Sequence, residues 1–430
     1  MRHLLGFLLF LVFVDESAAA YKRHMFAPMV WVHEYLLEPS PIKLRPFDLV
    51  MLIILGVSLS KRTRDGFVAP MRNALWLVVG TTVTWFAYGM LRGGDARYAS
   101  WQTYLILSMV LFAFTVATTF RTPEHYRALN KWIMTAALYR AVMCWISYFT
   151  WGQKLLGESG AFLTIHDDTI PWVVTILILV VESLDRRSVP YTWRSMAIIV
   201  LILGAIQFNS RRLAWVSLLM GLVVLYFLLP PSRAKRVIRR SVLIAAPFLA
   251  VYVAVGWGHE GAIFLPLHAF ASVSTQEDAS TLARNAENLG LIATANFSSA
   301  FTGAGWGQPY ACLTHKYDIS AFELWQYMPH NSILGLLAFT GMLGFAGFWL
   351  AVPTAVFLNT RVARMTDNRA AAKIASVGAA QMIVCANQLY GDMGIFSPQT
   401  MYVLAISYAM AMRLPVVAGV WGRTAAAAEA

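Results

Sequence analysis

Stretches of about 17–20 mostly apolar residues recur along the whole chain, each long enough as a helix to cross a hydrocarbon core about 30 Å thick. Inside such a core no water reaches the backbone, so every N–H and C=O must be satisfied within helices or within a closed barrel. The runs are continuously apolar rather than alternating, which excludes the barrel. Charged residues make up 13% of the 430 residues, against roughly 25% in soluble domains, and mean hydropathy is +0.58. The expected fold class is all-α: a polytopic membrane protein of about twelve transmembrane helices with one large, partly helical loop on the outer face. The spans fall near residues 4–20, 47–60, 73–91, 101–120, 131–150, 169–185, 194–209, 212–230, 241–257, 330–357, 373–390 and 396–412.

The formal charge is +12, which in a soluble chain would suggest nucleic acid. Here the cations sort into alternate loops, so they report orientation and no nucleic-acid partner is expected. The basic loops hold Lys61, Arg62, Arg64 and Arg72; Arg121, Arg127 and Lys131; Arg186, Arg187 and Arg194; Arg233, Lys235, Arg236, Arg239 and Arg240; and Arg361, Arg364, Arg369 and Lys373. That side is expected to be cytoplasmic, with both termini on it. Met1-Arg2-His3 and the apolar Leu4–Val14 run also resemble a signal peptide, and a retained first span is the expectation. Cys144, Cys312 and Cys385 have neither CxxC nor metal-ligand spacing, so no disulfide framework is read.

The chain then divides into spans 1–9 (1–257), a long outer loop (258–329), spans 10–12 (330–412) and a cytoplasmic tail (413–430). A connection as long as 258–329 is usually functional or disordered. This one has helical signals. Ser274-Thr275-Gln276-Glu277 has capping-box spacing, and a helical apolar pattern continues through Leu282, Ala286, Leu289 and Ile292. Gly303-Ala304-Gly305-Trp306-Gly307 reads as a tight turn. A helical cap over the membrane face is expected.

Few cations remain on the outer face. Arg211 and Arg212 lie between two apolar spans, where they are either a solvated or snorkelling turn or a deliberate anion contact. Arginine presents a planar fork of donors suited to phosphate oxygens. Arg284 lies in an otherwise acidic loop, as an anion contact or as a surface ion pair with Asp278 or Glu287. His330, with Asn331, stands where that loop meets the next apolar run; it is either an inert hydrogen-bonded histidine or a proton acceptor working near neutral pH. Asp392 lies in the last outer loop, as a turn residue or as a carboxylate orienting a histidine. Together they suggest arginines holding a diphosphate leaving group, a histidine deprotonating an acceptor hydroxyl, and apolar grooves holding a lipid tail.

These residues resemble the O-antigen ligase and polymerase superfamily of bacterial envelopes. The ligase signature is His, then Asn, Ser or Gln, nine residues, Gly, two residues, then Gly, Thr or Tyr. Here it reads His330, Asn331, Ser332–Thr340, Gly341, Met342-Leu343 and Gly344. Asn209-Ser210-Arg211-Arg212-Leu213-Ala214-Trp215 is similar to the family's Ser-Arg segment, Gly303-Ala304-Gly305 to its glycine turn, and Leu44-Arg45-Pro46-Phe47-Asp48 to its entry to span 2. The resemblance implies a metal-independent, inverting glycosyltransferase of the inner membrane, without cofactors. Such an enzyme moves a glycan from undecaprenyl diphosphate, on the periplasmic face, to a hydroxyl of an acceptor glycan, lipid A core or protein. Arg211 or Arg212, with Arg284, would contact the diphosphate and His330 would be the base, with Asn331, Gly303 and Gly305 in support; Asp392 is a further catalytic candidate from the residues alone. Polymerisation of a surface polysaccharide is preferred over ligation, and partners in polysaccharide assembly are envisaged.

Two other classes compete. Metal-dependent lipid-linked-sugar glycosyltransferases use acidic outer-loop residues, for which Asp15-Glu16 and His166-Asp167-Asp168 are candidates. A lipid-linked glycan flippase would show internal repeats and mid-span charges; no repeat is evident, and Arg140 and Glu182 are the main mid-span candidates.

Overall fold

A computed structural model describes residues 1–15, 29–37, 45–60, 66–155, 163–183, 189–209, 212–230, 233–257, 279–313 and 324–421, together with 259, 264 and 267. Within them the chain is helical throughout, with no strand. Fourteen helices carry the architecture. They are α1 (Arg2–Val14), α2 (Pro46–Ser60), α3 (Ala69–Leu91), α4 (Ala96–Thr119), α5 (Pro123–Leu155), α6 (Thr169–Ser183) and α7 (Val189–Phe208). The second half adds α8 (Arg212–Leu228), α9 (Arg233–Gly256), α10 (Ala279–Ser298), α11 (Ser332–Trp349), α12 (Ala351–Met365), α13 (Arg369–Gly391) and α14 (Pro398–Val417).

Every apolar stretch expected to span carries a helix. Six segments are long and apolar enough to cross a membrane: Ala69–Leu91, Ala96–Thr119, Lys235–Gly256, Ser332–Met365, Arg369–Gly391 and Pro398–Val417. The chain is a helical protein of membrane character, and α1, α2 and α8 are shorter apolar helices packed among or beside these.

The core runs along α14, every residue of which is buried from Gln399 to Pro415. Around it pack α4, α12 and α13, and α13 in turn carries α6 and α8. A buried helix with no water around it must settle its polar groups inside the bundle. Ser407 donates to Gln381 Oε1 at 3.0 Å, Asn359 donates to the Ser407 carbonyl at 3.2 Å, and the Tyr126 hydroxyl reaches the Ala409 carbonyl at 3.1 Å. At the start of α2, buried Asp48 accepts from the Tyr104 and Ser108 hydroxyls, and the Arg45 guanidinium lies 4.2 Å from the Tyr104 ring centre. Ser108 also meets the Tyr402 hydroxyl at 2.8 Å, so this cluster ties α2 to α4 and α14.

Arg140 of α5 and Asp168, just before α6, form a two-pronged ion pair with both bonds at 2.8 Å. Their side chains are 1% and 0% exposed. Removing one member of such a pair strands a buried charge, at a cost of about 3–5 kcal/mol. Asp168→Ala is therefore expected to lower the thermal unfolding midpoint in detergent by many degrees, whereas an unchanged midpoint would show the pair to be dispensable.

The described ends of the bundle sort the sequence features apart. Ser58, Arg121 and Gly66, with the Met412–Arg413 stretch, meet at one end. The turn 163–168, the start of α8, the start of α11 and the α13–α14 connection meet at the other. The second end holds the candidate residues.

Candidate active site

Helices α10 and α11 run side by side in the same direction. Glu287 of α10 meets His330, and about 20 Å further along each helix the Ala300 and Phe301 carbonyls accept from the Met342 and Leu343 amides at 2.9 and 3.1 Å. The expected cap is thus a helix packed lengthwise on α11. Its capping-box residues, 274–277, lie outside the described residues.

Asn331 starts α11. Its side chain accepts from the Leu334 amide at 3.1 Å, the N-cap bond that a helix start favours. This geometry accounts for Asn331 as a structural support and turns the preceding residue back toward α10. Glu287, only 4% exposed in its side chain, then grips His330 twice. Oε1 accepts the His330 backbone N–H at 2.6 Å, and Oε2 lies 2.8 Å from Nδ1. A carboxylate only accepts, so the proton of the neutral imidazole sits on Nδ1 and Nε2 is left with its lone pair. The ring is 30% exposed, open to a ligand from the outside.

Arg284 lies one turn before Glu287 and is half-buried. The alternative of a surface pair with Glu287 is not formed, Asp278 lies outside the described residues, and Arg284 has no hydrogen bond or ion pair to any described residue. Arg212 is the first residue of α8 and is exposed; Arg211 lies outside the described residues. Leu213 packs on Gly391, where a Cβ would come within 2.7 Å of it, so the start of α8 adjoins the α13–α14 connection.

Asp392 does orient a histidine, but the histidine is His166. Its Oδ2 lies 3.2 Å from His166 Nδ1, and its Oδ1 accepts the Met393 amide at 3.1 Å. His330 makes no bond to Asp392; the two regions join through Ser332 Oγ, which accepts the Ile395 amide at 3.2 Å. Burial pushes the Asp167 carboxyl up to about 7, opposed by a Ser397 hydrogen bond and reinforced by Asp392, Asp168 and Asp15. Asp15, Asp167, Asp168 and Asp392 thus lie near one another, with Asp168 already paired to Arg140.

Gly303 and Gly305 belong to a strap, residues 299–307, that threads between α3 and α11. It fits because α11 is broken at Gly341, whose φ of 61° and ψ of −173° are open essentially only to glycine. The break frees backbone groups, and the strap satisfies them: the Ala304 and Gly305 amides donate to the Ala338 and Phe339 carbonyls at 3.0 and 2.8 Å. On the other side the Trp85 indole donates to the Thr302 carbonyl at 2.7 Å, and Arg92 reaches the Gly303 carbonyl at 3.4 Å. A Cβ on Gly305 would stand 2.5 Å from Gly89 Cα, and one on Gly303 2.6 Å from the Gly341 nitrogen.

Glu287 was not legible as a site residue. Glu287 lies 43 positions from His330, and only its spacing of three from Arg284, which puts both on one helix face, hints at a shared role. The chain matches no protein-family model and no curated protein sequence.

Proposed function

We propose that the chain is an envelope glycosyltransferase of the ligase or polymerase type. In this reading it has twelve spans in a bacterial inner membrane and works on the periplasmic face. The observation that carries it is the Glu287–His330 pair, with both carboxylate oxygens on one residue and Arg284, which has no partner among the described residues, one turn away. A histidine held this way is set to accept a proton at Nε2. A half-buried arginine without a described partner is set to meet an anion.

The reaction that uses both is glycosyl transfer from a lipid diphosphate. His330 Nε2 takes the proton of the acceptor hydroxyl as its oxygen bonds to the anomeric carbon. The bond from that carbon to the diphosphate oxygen breaks with its electron pair, so the carrier leaves as the diphosphate anion and the anomeric centre inverts. Arg284 and one of Arg211 or Arg212 would steady the charge that builds on the leaving group.

The test is a transfer assay with purified protein in lipid nanodiscs, a glycan on undecaprenyl diphosphate and EDTA throughout. The expected result is a new glycosidic bond with release of undecaprenyl diphosphate. Activity restored only by divalent metal would favour the acidic, metal-dependent class instead. Movement of intact donor between leaflets of proteoliposomes, with no bond made, would favour a transporter.

A further inference from the structure

Helix α10 carries apolar side chains on both of its faces. Its buried face holds Leu291 and Ala295 with Glu287, Gly290 and Thr294, while on the outward face, beside Asn296, Leu289 is 59% exposed, Ile292 46% and Phe297 78%, with Phe301 at 63% beyond its end. Of the apolar pattern that marked this helix in the sequence, Leu289 and Ile292 face outward, and Leu282 and Ala286 are half-buried. No Asp, Glu, Lys, Arg or His occurs from Asn288 through Thr314.

What surrounds that stripe follows from its neighbours. The hydrogen bonds from Met342 and Leu343 to the Ala300 and Phe301 carbonyls fix the far end of α10 at the height of residues 342–343. Those residues lie within Ser332–Met365, a segment long and apolar enough to span, and are themselves 56% and 59% exposed. The two exposed surfaces are bonded at one level and share one environment. In water they would form a contiguous apolar patch of the kind monomers seldom carry. In hydrocarbon the same stripe is favourable, and the irregular backbone of the strap is tolerated because it is enclosed by protein.

We propose that α10 is a re-entrant membrane helix. From Asn288 onward its outward stripe lies against lipid acyl chains, and Arg284 and Glu287 stand at its water end. Segment 258–329 then enters the bilayer in part rather than resting wholly above it, and the acid–base pair is anchored at the interface by its own helix. This holds whatever the chain catalyses.

Nitroxide labelling tests it in the full chain. Cys312→Ser leaves Cys144 and Cys385, both 0% exposed and out of reach of the reagent. Single cysteines at Leu289, Ile292, Phe297 and Phe301, and at exposed Asn285 as a reference, are labelled after reconstitution in phosphatidylethanolamine–phosphatidylglycerol vesicles. Collisions with oxygen should exceed those with a water-soluble nickel chelate by a ratio that rises several-fold from Leu289 to Phe301, and the order should reverse at Asn285. High nickel accessibility at Ile292 and Phe297 would place the stripe in water and overturn the proposal. Low accessibility to both probes would mean that protein covers it, which overturns the proposal equally. All the labelled positions are at the surface, so the variants are expected to fold.

Discussion

If the proposed glycan transfer is the activity, it is expected to fall by about 10²–10⁴ when His330 becomes alanine, the usual contribution of a positioned base, with the protein still inserting at wild-type level. Glu287→Gln is expected to do nearly as much harm. An amide offers one acceptor and one donor where the carboxylate offers two acceptors, so either the backbone N–H or Nδ1 of His330 loses its partner. If the amide nitrogen faces the ring, the imidazole proton moves to Nε2 and the base is lost. Because the two residues act as one unit, the double variant should be scarcely worse than either single one. Additive losses would show that Glu287 acts elsewhere, and full activity in Glu287→Gln would end its positioning role. Arg284→Lys keeps the charge but not the fork of donors, so it should recover only part of what Arg284→Ala loses.

Gly341→Ala gives the largest expected loss of stability. A Cβ there would lie 2.3 Å from the Phe301 carbonyl carbon and oxygen, which belong to the strap's backbone and cannot swing aside. The backbone conformation alone costs about 1–3 kcal/mol for a residue other than glycine, and overpacking adds a comparable amount. A sum of about 2–6 kcal/mol is a large share of the roughly 5–15 kcal/mol that holds a typical domain together. Gly303→Ala should behave alike, since it meets the Gly341 nitrogen and the Phe339 carbonyl carbon at 2.6 Å. Gly93 is the control: its φ is also positive, at 81°, but nothing lies within 4 Å of its Cβ position. Gly93→Ala should cost only about 1–2 kcal/mol. Thermal unfolding followed by size-exclusion in detergent separates the three, and equal losses at Gly93 and Gly341 would refute the packing argument.

The apolar runs were readable as helices because hydrocarbon imposes a length and forbids charge over it, and both leave marks on a one-dimensional string. Position within the bundle was not readable. Nothing in Pro398–Val417 distinguishes a helix buried on all sides from Lys235–Gly256, which is apolar to a similar degree and has no buried residue in its spanning window. At the site, His330, Arg284 and the glycines stood out because each is unusual for its surroundings. Glu287 did not, since a glutamate on a loop helix is ordinary and its partner is remote in sequence. Asp392 was legible as a carboxylate that orients a histidine, but the identity of the histidine depends on how the turn at 166–168 meets the end of α13, a long-range contact.

The strap also sets an order of assembly. Synthesis delivers α3 first, then the strap, then α11. Until α11 arrives, the Ala304 and Gly305 amides have no carbonyls to meet, and until the strap is seated α11 has no means of satisfying its break. Each piece completes the other late, after the ten earlier helices α1 to α10 are already made. The same closing step brings His330 up to Glu287, so the acid–base pair exists only once the chain has locked.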